Sequence, residues 1–154
     1  IRSGKFLHLS TLTKYPSRRN KYMNKYLLES RKIHKKSIEE FDRGDLWGDR
    51  TAIRDAAEKA WLAAVKAIDA LIYSQGHEIP FGAGAHEFRN KILSDWAEEH
   101  PELEELYDNF ALIRDTLHGN CFYYGNCPRI LTEKKIKITV KKFIDEIESM
   151  LNGR

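Results

Sequence analysis

The sequence lacks any long apolar run, and nowhere in it do eighteen apolar residues follow one another. A transmembrane helix needs about 20 predominantly apolar residues, so we expect no membrane span. The basic opening segment also lacks the apolar centre of a secretory signal. We therefore expect a cytoplasmic protein with no membrane partner.

Motifs that bind metals or nucleotide phosphates are also missing. The chain has no glycine-rich phosphate loop, no His-Glu-x-x-His helix and no Gly-x-Ser-x-Gly elbow. It has none of the Glu-x-x-His pairs with which helical bundles bind iron or manganese. We therefore expect neither a metal nor a cofactor.

Cysteine is scarce, with only Cys121 and Cys127 in the chain. No second pair of cysteines or histidines stands at zinc-finger spacing, which argues against a structural zinc site. A chain of 154 residues can also fold without such staples. The favoured interpretation is a pair of ordinary thiols. The alternative is a local disulfide, as found inside cells of hyperthermophiles.

Acidic residues are absent from the first 28 positions, which carry seven bases. The net charge of +3 is therefore uneven, because the rest of the chain has 19 bases against 23 acids. Residues 1–22 are predicted to be a basic N-terminal extension of a domain spanning residues 23–154. Such an arm either lies on phosphates or is a solvated extension.

Apolar residues make up 42% of the chain and recur at steps of three and four, which is typical of amphipathic helices. No segment shows sustained strand alternation. The sequence therefore predicts an all-α, antiparallel bundle of about five helices. The second helix, rich in alanine around Trp61, is predicted to lie at its centre. The predicted helices are Met23–Phe41, Asp49–Gln75, His86–Glu99, Pro101–Gly119 and Thr132–Leu151.

Individual residues indicate where these helices begin and end. Gly44-Asp45 and Gly48-Asp49 are predicted to separate the first two helices, with a glycine ending the first and an aspartate capping the second. Pro101 suits the first turn of the fourth helix, and Thr132 is predicted to cap the last one. His34, at the edge of the first apolar stripe, is predicted to be packed and hydrogen-bonded.

Arg114 and His118 are the candidate catalytic pair, because residues four apart on a helix project from the same side. The guanidinium can hold a phosphate oxygen, and the imidazole can move a proton of a ribose hydroxyl. These two groups suffice for metal-independent cleavage of RNA. The alternative is structural: Arg114 pairs with Asp108 or Asp115, and His118 caps the helix C-terminus.

The segment LHGNCFYYG, residues 117–125, supplies candidate binding residues. Asn120, Tyr123 and Tyr124 are predicted to contact a ligand, together with Asp115. The aromatic rings can stack on bases. Alternatively, such a cluster closes the end of a bundle or forms a dimer interface.

Two segments of the chain resemble the archaeal PaREP family, which is placed with the HEPN superfamily. They are RGDLWGDRTAIRDAAEKAWLAAVKAIDAL, residues 43–71, and LHGNCFYYG, residues 117–125. Members pair a Gly-Asp turn and a helix rich in alanine and tryptophan with a later Leu-His, Asn, Phe-Tyr motif. Tyr124 stands where the family tends to have an acid. The likeness extends over residues 23–151.

The resemblance implies a HEPN-like bundle of the nucleotidyltransferase substrate-binding-subunit type, commonly a homodimer. Many HEPN proteins are metal-independent endoribonucleases or partners of nucleotidyltransferases in toxin-antitoxin pairs. In active members an Arg, a polar residue and a later His form the site. Arg114, Asp115 and His118 are the nearest match, although their spacing is shorter than in active members. Arg89-Asn90 is an alternative start, but no His follows it until His100. We expect a dimeric module that binds RNA, a nucleotide or a partner protein, and the alternative is an endoribonuclease using Arg114 and His118.

Overall fold

The computed structural model describes residues 17–153, which form helices and connecting turns with no strand among them. The predicted all-α class is therefore confirmed. No helix in this part of the chain is both long enough and apolar enough to cross a membrane. The α-helices are α1 (Ser17–Trp47), α2 (Arg50–Ser74), α3 (Ala85–Glu99), α4 (Glu104–Ile113), α5 (Arg129–Lys134) and α6 (Val140–Leu151).

Two segments of π-helix extend α-helices into longer rods. The first, π1 (Arg114–Tyr123), continues α4, and the second, π2 (Lys135–Thr139), joins α5 to α6. The described chain therefore forms five rods, as predicted. A π-helix has i→i+5 hydrogen bonds, is rare in proteins and is frequently found at functional sites.

The first two helices form an antiparallel hairpin, because side chains late in α1 meet residues early in α2. Glu40 is ion-paired with Lys59. Earlier in α1, the Ser30 hydroxyl donates a hydrogen bond of 2.6 Å to the Ala63 carbonyl, later in α2. The predicted antiparallel packing is confirmed for this pair.

Helix α2 lies at the centre of the bundle, as predicted. Trp61 is 1% exposed, and its ring centroid is 4.8 Å from that of Phe110. Small side chains on several sides of a helix allow its neighbours to approach closely. The fully buried alanines of α2 are Ala56, Ala57, Ala60, Ala63, Ala64, Ala67 and Ala70.

Two of the predicted helix ends are confirmed. The Asp49 carboxylate caps α2 by accepting a hydrogen bond of 3.1 Å from the Ala52 amide. Pro101 begins the 3₁₀ turn Pro101–Leu103 that leads into α4. Both residues act through local chemistry, which is why sequence reasoning finds them.

Three predicted helix ends are wrong. Gly44 lies within α1, where a Cβ would come within 3.0 Å of the Ala52 side chain and the Asp49 carbonyl. Gly44 therefore allows a close helix crossing, and the helix ends instead at Trp47, before the other predicted glycine, Gly48, whose φ is 66°. Thr132 is buried inside α5, which begins at Arg129, and the fourth rod continues past Gly119 to Tyr123.

The boundary predicted between residues 22 and 23 lies within α1, which already includes Ser17. The helix predicted to begin at Met23 therefore begins earlier. The rest of the predicted basic extension, residues 1–16, lies outside the described residues.

His34 connects α1 to the last rod, and the prediction that it is packed and hydrogen-bonded is confirmed. It is 6% exposed, and its Nε2 donates a hydrogen bond of 2.7 Å to the Ile136 carbonyl in π2. Burial lowers the pKa of His34, and the charge of Arg31 acts in the same direction. The hydrogen bond to Ile136 and the carboxylate of Asp145 oppose this shift.

We expect the free energy of unfolding to fall as the pH is lowered below about 6.5, the ordinary pKa of histidine. The unfolded chain then binds a proton at His34 that the folded chain resists, with a slope of at most about 1.4 kcal/mol per pH unit. Urea denaturation between pH 5 and pH 7.5 measures the effect. A His34→Gln variant should flatten this dependence in part, because the pKa of His86 is lowered too. An unchanged pH dependence in that variant would contradict the prediction.

Candidate functional site

The candidate site is built on π1, whose backbone is held by a hydrogen bond of 3.0 Å from the Tyr124 amide to the Gly119 carbonyl. Leu117 and Cys121 are buried and anchor the segment in the core. The side chains between them are partly or fully exposed. A buried edge thus fixes the backbone while polar side chains remain accessible.

Arg114 is half-buried and has two polar partners. Its Nε is 3.2 Å from a carboxylate oxygen of Asp115, and its Nη1 donates a hydrogen bond of 3.3 Å to the Asn90 side chain on α3. The predicted pairing with Asp115 is therefore present. Because a guanidinium has five N–H groups, Arg114 keeps donors for a further acceptor.

His118 is held by a carboxylate of the central helix. Its Nδ1 is 2.7 Å from Oε2 of Glu58, and 38% of the side chain is exposed. A carboxylate accepts hydrogen bonds, so Nδ1 of His118 is the donor in this contact. The alternative that His118 caps a helix C-terminus is wrong, because the helix continues to Tyr123.

A second imidazole, that of His86, lies beside His118. The ring centroids of the two histidines are 6.3 Å apart, and each lies about 6 Å from the Trp61 ring. Burial lowers the pKa of His86, and the charges of Arg89 and His118 act in the same direction. These effects favour the neutral form of the His86 imidazole.

Sequence reasoning gave no role to Glu58 or His86, and it considered Asn90 only as part of the alternative start Arg89-Asn90. Glu58 had a usable signal, because it lies one helical turn before Trp61 at the edge of the predicted central stripe. His86 and Asn90 belong to α3, and only the packing of α3 against α4 and π1 brings them to this site. We refer to Glu58, His86, Asn90, Arg114 and His118 as the His118 site.

The predicted binding residues lie at the C-terminal half of π1 and just beyond it. Tyr123 and Tyr124 are 69% and 77% exposed, and their rings meet edge to face with centroids 5.2 Å apart. Arg54 fixes this end of π1 by donating hydrogen bonds of 2.6 and 2.9 Å to the Phe122 carbonyl. Asn120 is also exposed. These side chains are free to contact a ligand.

Cys121 and Cys127 form a disulfide, so the interpretation as ordinary thiols is wrong. The turn after π1 brings their Cα atoms to 4.5 Å, within the range that a disulfide requires. The spacing in sequence gave no sign of this turn. The bond closes the short segment that links π1 to α5.

Among residues 17–153, no three His, Cys, Asp or Glu side chains are arranged to hold a metal ion. No family model, curated protein or solved structure matches the chain. The case for a function therefore depends on the geometry of the His118 site.

Proposed function

We propose that this protein is a HEPN-like helical module that binds RNA as a homodimer. The observation that supports the proposal is that Arg114 and His118 lie on one partly exposed π-helical segment, where each is held by a polar partner. An Arg fork suits a phosphate, and a neighbouring imidazole suits a ribose hydroxyl or a second phosphate oxygen. The resemblance of residues 43–71 and 117–125 to the PaREP family agrees with this assignment.

Exposed aromatic rings support single-stranded RNA as the ligand. Tyr123 is the last residue of π1 and Tyr124 directly follows it, and both expose most of their surface. Bases stack on such rings, and each stacked base contributes about 1–3 kcal/mol. A phosphate contact combined with stacking is the usual means by which proteins bind single strands.

We expect an Arg114→Ala variant to bind single-stranded RNA about 10–100-fold more weakly than the unchanged protein. Hydrogen bonds to charged groups contribute about 1.5–3 kcal/mol, and about 1.4 kcal/mol is tenfold in affinity. Fluorescence anisotropy with a labelled oligonucleotide measures the change. Arg43→Ala is the control, because Arg43 lies on α1 and is 66% exposed. An equal loss of RNA affinity in both variants would show that only the overall positive charge matters, and it would contradict the proposal.

The dimer is tested separately by light scattering after size-exclusion chromatography. A mass of about twice 18.0 kDa supports it. A mass corresponding to one chain, at concentrations where RNA is bound, would rule out a dimeric module and leave RNA binding by the monomer.

A second candidate function, metal-independent endoribonuclease, is favoured by the hydrogen bond between Glu58 and His118. In this scheme Nε2 of His118 takes the proton of a ribose 2′-hydroxyl, and the 2′-oxygen attacks the adjacent phosphorus. The bond from phosphorus to the 5′-oxygen breaks, and that oxygen takes a proton from solvent. The products are a 2′,3′-cyclic phosphate and a 5′-hydroxyl. Arg114 would stabilise the charge on the phosphate oxygens.

If this candidate is correct, His118→Ala should lower the cleavage rate about 10²–10⁴-fold, the contribution typical of general acid–base groups. Glu58→Gln should lower it less and shift its pH profile, because Glu58 positions the imidazole without touching the RNA. His100→Ala is the matched control, since Nδ1 of His100 is 3.4 Å from the Glu102 carboxylate elsewhere on the surface. End-labelled RNA in buffer with a chelator reports the products. Equal cleavage by the His118→Ala variant would exclude this mechanism and leave the binding module.

A further inference from the structure

A cleft of about 120 Å³ lies between π1 and the rod formed by α5 and π2. No residue of the His118 site lines it, so the two are separate. The lining residues are Thr116, Leu117, Asn120, Asn126, Pro128, Leu131, Thr132 and Lys135.

The lining combines carboxamides, hydroxyls and a cation with an apolar wall. Among the residues that the structure describes, the side chains of Asn120, Asn126 and Lys135 have no hydrogen-bond or ion-pair partner, so their donors and acceptors face the cleft or solvent. No acidic residue lines it. The cleft is therefore suited to a neutral or anionic ligand that has both donors and acceptors.

The size of the cleft limits what it can hold. A single water needs about 10–15 Å³ of cavity volume, so the cleft has room for about ten water-sized groups. It is smaller than the roughly 300–1,000 Å³ of sites for drug-sized ligands. One planar ring system fits these limits, whereas a whole nucleotide does not.

The disulfide holds the two amides in place. Asn120 directly precedes Cys121 and Asn126 directly precedes Cys127, so the bond between the cysteines fixes the backbone beside both amides. The backbone amide of Asn126 also donates a hydrogen bond of 2.8 Å to the backbone carbonyl of Asn120. Such preorganisation lowers the entropic cost of binding.

We propose that this cleft binds one nucleobase of the RNA strand. The carboxamides of Asn120 and Asn126 hydrogen-bond to the edge of the base, since an amide can donate and accept as a base edge does. Leu117 and Leu131 contact the face of its ring. This inference deepens the proposed function, because it names the part of the RNA that π1 recognises on its other side.

A nucleobase fits the lining better than a small inorganic anion. An anion needs several convergent donors and gains nothing from an apolar wall, whereas only Lys135 here carries positive charge. A base uses both the polar edge and the apolar wall. The order of Asn120, Tyr123 and Tyr124 along the chain would allow neighbouring bases to stack outside the cleft.

The experiment titrates the oxidised protein with adenosine, guanosine, cytidine and uridine, and in parallel with ribose and inorganic phosphate, using isothermal calorimetry. We expect at least one nucleoside to bind and ribose and phosphate not to bind. Asn126→Ala should weaken that nucleoside about tenfold, while the control Asn152→Ala, at the exposed C-terminal turn, leaves it unchanged. Reduction of the disulfide should also weaken binding.

Three other outcomes would each overturn part of the inference, and one would support it. Binding of phosphate as tightly as the nucleosides would make the cleft an anion site. If none of the four nucleosides binds while RNA binding is still weakened by Arg114→Ala, the base site is rejected and the proposed function is left intact. Loss of RNA binding in an Arg114→Ala variant that still binds nucleosides supports two separate contacts. Unchanged nucleoside binding after reduction would reject the role of the disulfide.

Discussion

An Arg89→Met variant should lose about 3–5 kcal/mol of its free energy of unfolding, because it leaves a buried charge without its partner. Arg89 makes two parallel hydrogen bonds to Asp69, with Nε–Oδ1 and Nη2–Oδ2 distances of 2.7 and 3.0 Å. The side chains are only 11% and 3% exposed. Urea denaturation at pH 7 measures the loss.

The pH dependence gives this prediction a second test. Burial raises the pKa of Asp69, and the nearby Arg89 opposes that rise. Without Arg89 the folded-state pKa rises further, so protonation of Asp69 stabilises the variant as the pH falls toward the ordinary value of about 3.9. The difference in free energy of unfolding between the variant and the unchanged protein should therefore become smaller in acid.

Lys91→Met is the matched control, because Lys91 pairs with Asp95 on the same helix and its side chain is 55% exposed. An exposed pair of this kind contributes only about 0.3–0.5 kcal/mol. If the two variants lost equal stability, the buried position of Asp69 and Arg89 would be irrelevant and the prediction would fail.

A Trp61→Ala variant should also lose about 3–5 kcal/mol, the cost typical of deleting a large buried aromatic side chain. Trp61 packs against Phe110 in the core and against the rings of His86 and His118 at the edge of the candidate site. The cavity left by the missing side chain would extend from the core to the edge of the candidate site. Circular dichroism during urea denaturation measures the loss.

A Trp61→Phe variant should lose much less of its free energy of unfolding. It distinguishes the contribution of ring packing from that of Nε1. Nε1 of Trp61 is buried and has no hydrogen-bond partner among the described residues. A buried unpaired donor costs about 1–3 kcal/mol, so phenylalanine removes that cost while keeping much of the packing. Equal losses in the two variants would show that Nε1 makes a stabilising contact.

Sequence reasoning was most reliable for the apolar stripes. Phe88, Ile92 and Trp96 on α3, and Leu106, Phe110 and Ile113 on α4, recur at steps of three and four in the predicted helices and are all buried. The apolar period of a helix directly reflects which side faces the core. It holds no information about π-helical geometry, so the continuation past Gly119 as π1 was missed.

The candidate site was predicted in part. Arg114 and His118 both lie on π1, which continues the predicted fourth helix. Their partners Asn90 and Glu58 are 24 and 60 positions away in the chain, and no local pattern links them. The disulfide between Cys121 and Cys127 likewise depends on a turn that the spacing did not reveal.

The sequence by itself determined the all-helical class, the five apolar stripes, the central place of α2 and the cap at Asp49. These follow from periodicity and local hydrogen bonding, which act over a few residues. Only the tertiary structure decided that Gly44 allows a close helix crossing, that Glu58 and His86 meet His118, and that Asn120 and Asn126 line one cleft. Those contacts join residues distant in the chain, and they form only when the rods pack together.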